Sequence, residues 1–326
     1  MSHMTNPLAT PDQLFKRRSF GALPLELQDA IFFATQCLTQ AAGILLELPQ
    51  SVTAQANVLL ARYWLVEPLM AHEFSDVSAA IVYLTAKLSG SPRSPRDLSN
   101  VYAYLLSPSS SFFRPASAPP ATNSPASYYL SESQYQAFHA RVLALEARVF
   151  YALGFDTHVA LPHPLAVTYL QALEFLNVRK ERIAPRTLAY LNAALLSPQM
   201  LCCTSQPNAL AVAAIYNAAR DVGAKMPECE WWEVFDVERE ELGFLVVGMR
   251  SVEGWGRKMR ADGDDAVIRA WGGKGMLTSR MVKEEVSRRG LDGGIGVGER
   301  EGEGEGEDEM ARSMDERMAE MEAERA

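Results

Sequence analysis

The sequence predicts an all-α protein with two similar helical domains, and three observations lead to that prediction. Apolar residues recur at helical spacing along most of residues 25–252. Within that stretch no run alternates apolar and polar residues as a strand does, and no Asn-Gly or Asp-Gly pair marks a hairpin. One phrase occurs twice, because residues 80–87 return in similar form as residues 213–220. A repeat of this kind is typical of a duplicated domain.

The first half of the chain contains five predicted helices. Pro49 ends the first of them, because proline lacks the backbone donor that a helix interior needs. Ser75 or Asp76 can cap the third helix, Ser133 or a neighbour the fifth, and Gly154 can end the fifth. The five helices span 25–48, 51–64, 75–87, 97–106 and 133–153.

The second half repeats the plan after a hinge at Leu161-Pro162-His163-Pro164. Its predicted helices are 165–176, 185–195, 206–222 and 237–252, with a short aromatic segment at 231–235. Both copies of the repeated phrase end in a base, Lys87 in the first and Arg220 in the second. Small residues such as alanine let other helices approach closely, so each copy should be the central helix of its domain.

Three segments differ in composition from the helical body. Residues 1–24 form an N-terminal arm, of which 1–4 partly resemble a tag remnant; residues 107–131 are a Ser/Pro-rich insertion; and residues 272–326 are a Gly/Glu-rich tail. In the tail, residues 301–308 read as a solvated acidic linker and residues 309–326 as a short charged helix. The predicted boundaries are therefore 25–158 for the first domain and 159–260 for the second.

Composition excludes several classes of function. The formal net charge of −9 is concentrated from Glu299 onward, and the nearly balanced body does not favour nucleic-acid binding. No apolar run is long enough to span a bilayer, and no signal peptide is visible. The four cysteines match no zinc-site spacing, so we expect free, buried thiols in a reducing compartment, the cytosol or nucleus.

Other candidate sites are weak. His158 and His163 flank the hinge without a third ligand, so we predict no metal and no cofactor. Trp231 and Trp232 are a candidate partner-binding pair, although such a pair is more often half core and half surface. Ser-Pro pairs occur at 91–92, 94–95, 107–108, 124–125 and 197–198. The pairs in the 107–131 loop can accept phosphate from a proline-directed kinase, whereas turn chemistry explains the others.

A helical scaffold without a catalytic motif indicates a protein that binds and regulates another. Five segments resemble the cyclins, and within them the cyclin L type. They are 40–50 (Gln-Ala-Ala-Gly-Ile-Leu-Leu-Glu-Leu-Pro-Gln), 94–98 (Ser-Pro-Arg-Asp-Leu), 145–155 (Leu-Glu-Ala-Arg-Val-Phe-Tyr-Ala-Leu-Gly-Phe), 162–164 (Pro-His-Pro) and 169–174 (Tyr-Leu-Gln-Ala-Leu-Glu). The likeness extends over about residues 25–255.

The resemblance implies two tandem five-helix cyclin boxes, no enzymatic activity and a cyclin-dependent kinase as partner. Lys87 matches the family lysine that touches the kinase, and Glu146 matches the family glutamate; by themselves, both would be ordinary helix charges. Docking there would hold the kinase αC helix inward. The L type further implies a nuclear location, RNA polymerase II transcription and pre-mRNA splicing, and contacts with splicing or transcription factors. Neither direct nucleic-acid nor membrane binding is expected.

The sequence departs from the family at three places. Acidic residues often follow the family lysine, whereas Leu88-Ser89-Gly90 stands here. Residues 30–35 lack the arginine of the substrate-docking patch of cell-cycle cyclins, so we predict no docking through that patch. An acidic tail replaces the Arg/Ser-rich tail of animal cyclin L. Three alternatives stay open: a transcription factor IIB-like protein, a scaffold that does not activate its kinase, and a K- or T-type cyclin.

Overall fold

The computed structural model describes residues 4–19, 23–107, 110, 128–176, 182–259 and 276–291. Within these ranges the chain forms twelve α-helices, one short 3-10 helix and no β-strand, which confirms the all-α class. Most of the 107–131 insertion, the Glu-Gly repeats and the predicted helix 309–326 lie outside the described residues. No helix in the described part is both long and apolar enough to cross a membrane.

Five helices form the first group, with α4 at its centre. Ala79, Ala80 and Ile81 of α4 are fully buried, as the small-residue pattern predicts. Because alanine adds little side-chain volume, the surrounding helices can close on α4 from several sides. The group consists of α2 (Leu25–Leu45), α3 (Gln50–Val66), α4 (Phe74–Leu88), α5 (Pro95–Leu106) and α6 (Glu132–Ala152).

The second group follows the same plan around α10. Six alanines of this helix are buried, and Pro207 begins it at a position where the missing N–H costs nothing. Gly223 ends the helix at φ 72°, a left-handed conformation that glycine adopts without strain. The members are α7 (Pro162–Ala172), α8 (Ile183–Leu195), α9 (Leu201–Thr204), α10 (Pro207–Val222) and α11 (Arg239–Met259).

Besides the four-residue α9, two further helices were not predicted. The first, α1 (Pro11–Ser19), packs against α3, and the second, α12 (Ser279–Arg288), inserts Val282 and Val286 into the core of the first group. Thr278 caps α12 by accepting a hydrogen bond from the Met281 N–H. Each helix is about three turns long or less and carries few apolar residues, so its periodicity is too short to read.

Asn6 links the arm to both helical groups. Its side-chain amide donates to the Ala160 carbonyl at 2.8 Å, and its oxygen accepts from the Ala160 N–H at 2.8 Å and from Arg62 at 3.0 Å. Its backbone exchanges two hydrogen bonds with the Gln206 side chain, both at 3.0 Å. Arg62 belongs to α3, Ala160 to the hinge region and Gln206 to the start of α10. The arm is therefore part of the folded body.

Candidate protein-binding site

The structure brings Lys87 and Glu146 together. Lys87 lies in the last turn of α4 and Glu146 in the middle of α6, and their Nζ and Oε1 atoms are 2.7 Å apart. The lysine side chain is 45% exposed, whereas the glutamate side chain is 8% exposed. A half-exposed ammonium can still donate to a partner, while the carboxylate depends on the lysine to offset its burial.

The aromatic ring of Tyr83 also contacts the ammonium group of Lys87. Lys87 Nζ lies 5.0 Å from the centroid of this ring, within cation–π range. Tyr83 is one helical turn before Lys87 on α4, so both side chains share one face. The ring and the carboxylate together limit the positions that the lysine can take.

An exposed apolar stripe runs along α6 beside Glu146. Its members recur every three or four residues, so they lie on one face of the helix. The exposed members, which we call the α6 stripe, are Ala140, Leu143, Ala144, Ala147 and Tyr151. Three alanines leave room for another helix to approach closely, and exposed apolar faces of this kind mark interaction sites. Sequence reasoning missed the stripe because similar residues also form buried faces.

Arg220 occupies the place in α10 that Lys87 has in α4, but its environment differs. Its side chain is exposed and forms no ion pair with the described residues. The interpretation of Arg220 as a helix-end base agrees with its place in the last turn. Its neighbour Asp221 makes the contact with α11 instead, and Arg250 Nη2 lies 2.5 Å from the Asp221 carboxylate.

Two side chains of α8 also contact Asp221. Arg186 contacts its carboxylate at 2.9 Å, and the Tyr190 hydroxyl donates to it at 2.7 Å. Partial burial opposes the charged carboxylate, but the hydrogen bonds from Tyr190, Arg186 and Arg250 outweigh burial and lower the Asp221 pKa. The contacts of Asp221 with Arg186, Tyr190 and Arg250 thus join α8, α10 and α11 at this corner of the second group.

The two tryptophans have different places. Trp231 is 3% exposed and packs in the core of the second group, so its ring belongs to the interior rather than to an exposed contact. Trp232 is half-buried and meets Trp231 edge to face at a centroid distance of 6.0 Å. Partner binding at this pair stays a prediction, and only Trp232 has the exposure for it.

Of the two histidines at the predicted hinge, His158 precedes α7 and His163 lies in its first turn, because Pro162 begins that helix. No group of three or more potential ligands that could hold a metal occurs among the described residues. His163 shares a hydrogen bond of 2.9 Å with Asn192, to which Gln50 also donates at 3.1 Å. Burial lowers the His163 pKa, although the Asn192 contact acts in the opposite direction.

The predicted burial of the thiols holds for two of the four cysteines. Cys202 and Cys203 are buried, whereas Cys37 is half-buried and Cys229 is exposed. In the stretch 30–35, Ile31 and Phe32 are fully buried and contribute to the core rather than to a docking patch.

Comparisons with known proteins gave no matching family model. The chain is 33% identical over 231 residues to an uncharacterised cyclin-L1-like protein of Schizosaccharomyces pombe, covering 68% of this chain and 84% of that protein. It is 32% identical over 206 residues to human cyclin-L2, covering 63% of this chain. The chain spans 36% of the human protein's length.

The fold resembles a chain in a crystal structure of the yeast RNA Pol II CTD kinase CTDK-1 complex. The TM-score is 0.58 at 12% identity, and the likeness covers 88% of this chain and 84% of that one. At this identity the likeness concerns the fold.

Proposed function

Because the chain belongs to the cyclin L family, whose members are regulatory subunits rather than enzymes, we propose that it binds and activates a cyclin-dependent serine/threonine kinase. The observation that carries the proposal is the Lys87–Glu146 ion pair beside the exposed α6 stripe. It combines a polar anchor with an apolar surface, as protein interfaces do. We further propose that the kinase acts in RNA polymerase II transcription and pre-mRNA splicing, and that the complex is nuclear.

The α6 stripe is suited to receive the αC helix of the kinase. Its alanines permit a close helix-to-helix approach, and Leu143 supplies an apolar contact one turn from Glu146. Lys87 can donate to a backbone carbonyl at one end of the αC region, while the Glu146 carboxylate can accept from a backbone N–H. Both contacts recognise backbone, so they fix position rather than sequence.

Docking of this kind activates by population shift. A subunit that binds the inward position of αC more tightly than the outward one raises the population of the inward state. In that state the αC glutamate pairs with the lysine that holds ATP, which is a requirement for phosphoryl transfer. The chain itself contributes no catalytic group.

We also propose the boundaries 25–158 and 159–260 for the two cyclin boxes. The hinge hydrogen bonds of Asn6 and Arg62 fall at this division, which supports it. The second box is then available for splicing or transcription factors, whereas the α12 part of the predicted tail packs in the core of the first group.

A pull-down of the full chain from nuclear extract, followed by a kinase assay on the eluate, tests the proposal. We expect a stoichiometric cyclin-dependent kinase with activity, and a loss of at least tenfold in kinase recovery with Lys87→Ala. Arg220→Ala is the matched control because it removes the base at the same position of the repeat, and it should retain recovery within twofold. Melting curves verify that each variant is folded.

Three results would contradict the proposal. Recovery of a polymerase or DNA complex without a kinase would favour a transcription-factor function. An inactive bound kinase would indicate a scaffold. Equal losses for Lys87→Ala and Arg220→Ala would show that docking is not specific to the first box.

A further inference from the structure

Two Ser-Pro-Arg triplets follow one another between α4 and α5. They are Ser91-Pro92-Arg93 and Ser94-Pro95-Arg96, and their tandem arrangement occurs once in the chain. Each triplet presents a hydroxyl, then a proline that fixes the backbone, then a base. A serine followed by proline is the substrate pattern of proline-directed kinases, so the tandem gives such an enzyme two adjacent acceptors.

The two serines of the tandem are more exposed than the other Ser-Pro serines that the structure describes. Ser94 is exposed and Ser91 is half-buried. Ser107 is 9% exposed and Ser197 is 1% exposed, and no arginine follows either proline. Ser124 lies outside the described residues. A kinase must surround the acceptor hydroxyl, and Ser94 is the most accessible of the described Ser-Pro serines, although its sequence pattern alone indicates a turn.

The backbone that leads into Ser94 is extended, as an enzyme cleft requires, and α5 begins at the next residue, Pro95. Ser89 has ψ 170° and Ser94 has ψ 148°, both extended, and residues 91–94 belong to no helix. Arg93 holds the segment on the body by donating to the carbonyls of Leu46 at 2.7 Å and Glu47 at 2.9 Å. Residues 91–94 are thus extended, with Arg93 anchored to the body and Ser94 exposed.

We propose that Ser94 is a phosphorylation site for a proline-directed serine/threonine kinase that uses ATP. A bond forms between Ser94 Oγ and the γ-phosphorus of ATP, and the bond from that phosphorus to the bridging oxygen of ADP breaks. The hydroxyl proton passes to the catalytic base of the kinase. Any proline-directed kinase can perform the step, so the site is independent of the proposed function.

The phosphate would act on the contact between α5 and α6. Arg96 is two residues away, half-exposed, and bound to Glu132 at 2.6 Å in the first turn of α6. A phosphate carries more charge than a carboxylate and offers three acceptor oxygens, so it would draw Arg96 away from Glu132. Ser94 Oγ already accepts from the Asp97 N–H at 3.0 Å, and the phosphate would keep that role. The negative charge of the Asp97 carboxylate disfavours the phosphate, whereas the positive charge of Arg96 and the N-terminal end of the α5 dipole favour it.

The first experiment maps phosphate on the folded full chain. The protein and a peptide of residues 88–100 are incubated with a purified proline-directed kinase and Mg²⁺-ATP, and sites are quantified by mass spectrometry. We expect Ser94 to be phosphorylated at least tenfold faster than Ser197, which serves as an internal buried control. Pro95→Ala, which retains the hydroxyl, should slow the Ser94 reaction at least tenfold. Phosphorylation of the peptide but not of the protein would overturn the proposal, as would an absence of phosphate from both.

The second experiment measures amide hydrogen exchange of the phosphorylated chain. We expect exchange of the Asp97 amide to slow about fivefold, and Arg96→Gln to reduce that slowing at least twofold. Unchanged exchange at Asp97 would overturn the predicted effect on α5. Ser94→Ala, incubated in the same way, controls for phosphate at Ser91 and in the Ser/Pro-rich insertion.

Discussion

The last turns of α4 and α10 occupy equivalent places in the two halves of the molecule, yet their charges are arranged in opposite ways. In the first half the central helix supplies the base, Lys87, and α6 supplies the acid, Glu146. In the second half the central helix supplies the acid, Asp221, and α11 supplies the base, Arg250. The buried alanines one or two turns earlier are nevertheless shared by both helices.

Packing constrains the interior of each central helix, while the charges of its last turn can diverge. A substitution inside the core costs cavity or overpacking energy, whereas a helix end only needs a charge partner. The outer faces of the neighbouring helices differ as well. The α6 stripe is rich in alanine, but the exposed apolar residues of α11 are the bulkier Phe244 and Val247.

Exchanging the charges of Lys87 and Glu146 should weaken kinase binding more than any other change to either half. The double variant Lys87→Glu with Glu146→Lys retains an internal ion pair, so we expect it to fold, but each group would then present the wrong sign to a kinase backbone. Kinase binding should weaken at least a hundredfold, which calorimetric titration with the recovered kinase can measure. Arg220→Glu reverses the equivalent base in the second half and should change affinity less than twofold. Unaltered binding by the folded double variant would remove both residues from the interface.

A charge on the outer face of α6 should have the next largest effect. Leu143→Asp places a carboxylate in the centre of the α6 stripe, where docking would bury it without a partner. We expect a ten- to fiftyfold loss of kinase affinity by the same titration. Phe244→Asp on α11 is the matched control, since Phe244 is also an exposed apolar residue of a long helix. Similar losses for the two variants would mean that both halves contact the kinase.

Mild acid should lower the stability of the second half more than that of the first, and this effect should be smaller than those of the substitutions above. Burial lowers the pKa of His163 in the folded chain, so between that pKa and the ordinary histidine value of about 6.5 the unfolded chain binds more protons. Stability is therefore complete above about pH 6.5 and falls as the pH decreases, by at most about 1.4 kcal/mol per pH unit. Hydrogen exchange at pH 7 and pH 5.5 should show faster opening of α7 and α8 than of α4.

The variant His163→Gln provides the control for the effect of acid. Glutamine retains a hydrogen-bonding group but cannot take up a proton, so the pH dependence of α7 and α8 should disappear. Persistence of the dependence in this variant would assign it to another group of the second half. Asp221 does not contribute in this window, because its lowered pKa matters only below the ordinary aspartate range.

Local signals made much of the fold predictable. Prolines, caps and small residues locate nine of the twelve described helices, because those signals act within one turn. Eight of them agree to within about four residues at both ends, whereas α11 continues seven residues past its predicted end at Val252. Ser131, for example, forms the capping box of α6 with Gln134, two residues from the predicted cap. The short α1, α9 and α12 were missed although Thr10 caps α1 and Thr278 caps α12, because each helix is too short to show an apolar periodicity.

The candidate site was predictable only in part. Spacing does not connect Lys87 with Glu146, which are 59 residues apart. The family resemblance singled out each residue, but only the structure shows that they form an ion pair. The α6 stripe depends on which face of the helix is covered, and sequence periodicity does not separate an exposed apolar face from a buried one. Trp231 illustrates the same limit, because an aromatic pair in a sequence does not reveal which ring is interior.

The Asn6 contacts have a consequence for how the protein is made. The arm leaves the ribosome before the body, and although Arg62 follows Asn6 by 56 residues, the other two partners of Asn6 lie 154 and 200 residues later in the chain. The arm cannot complete these contacts until most of both helical groups have been translated, so its full insertion is expected to be a late step of folding. A nascent chain arrested shortly before Gln206 should thus leave residues 4–19 open to protease, whereas release of the full chain should protect them.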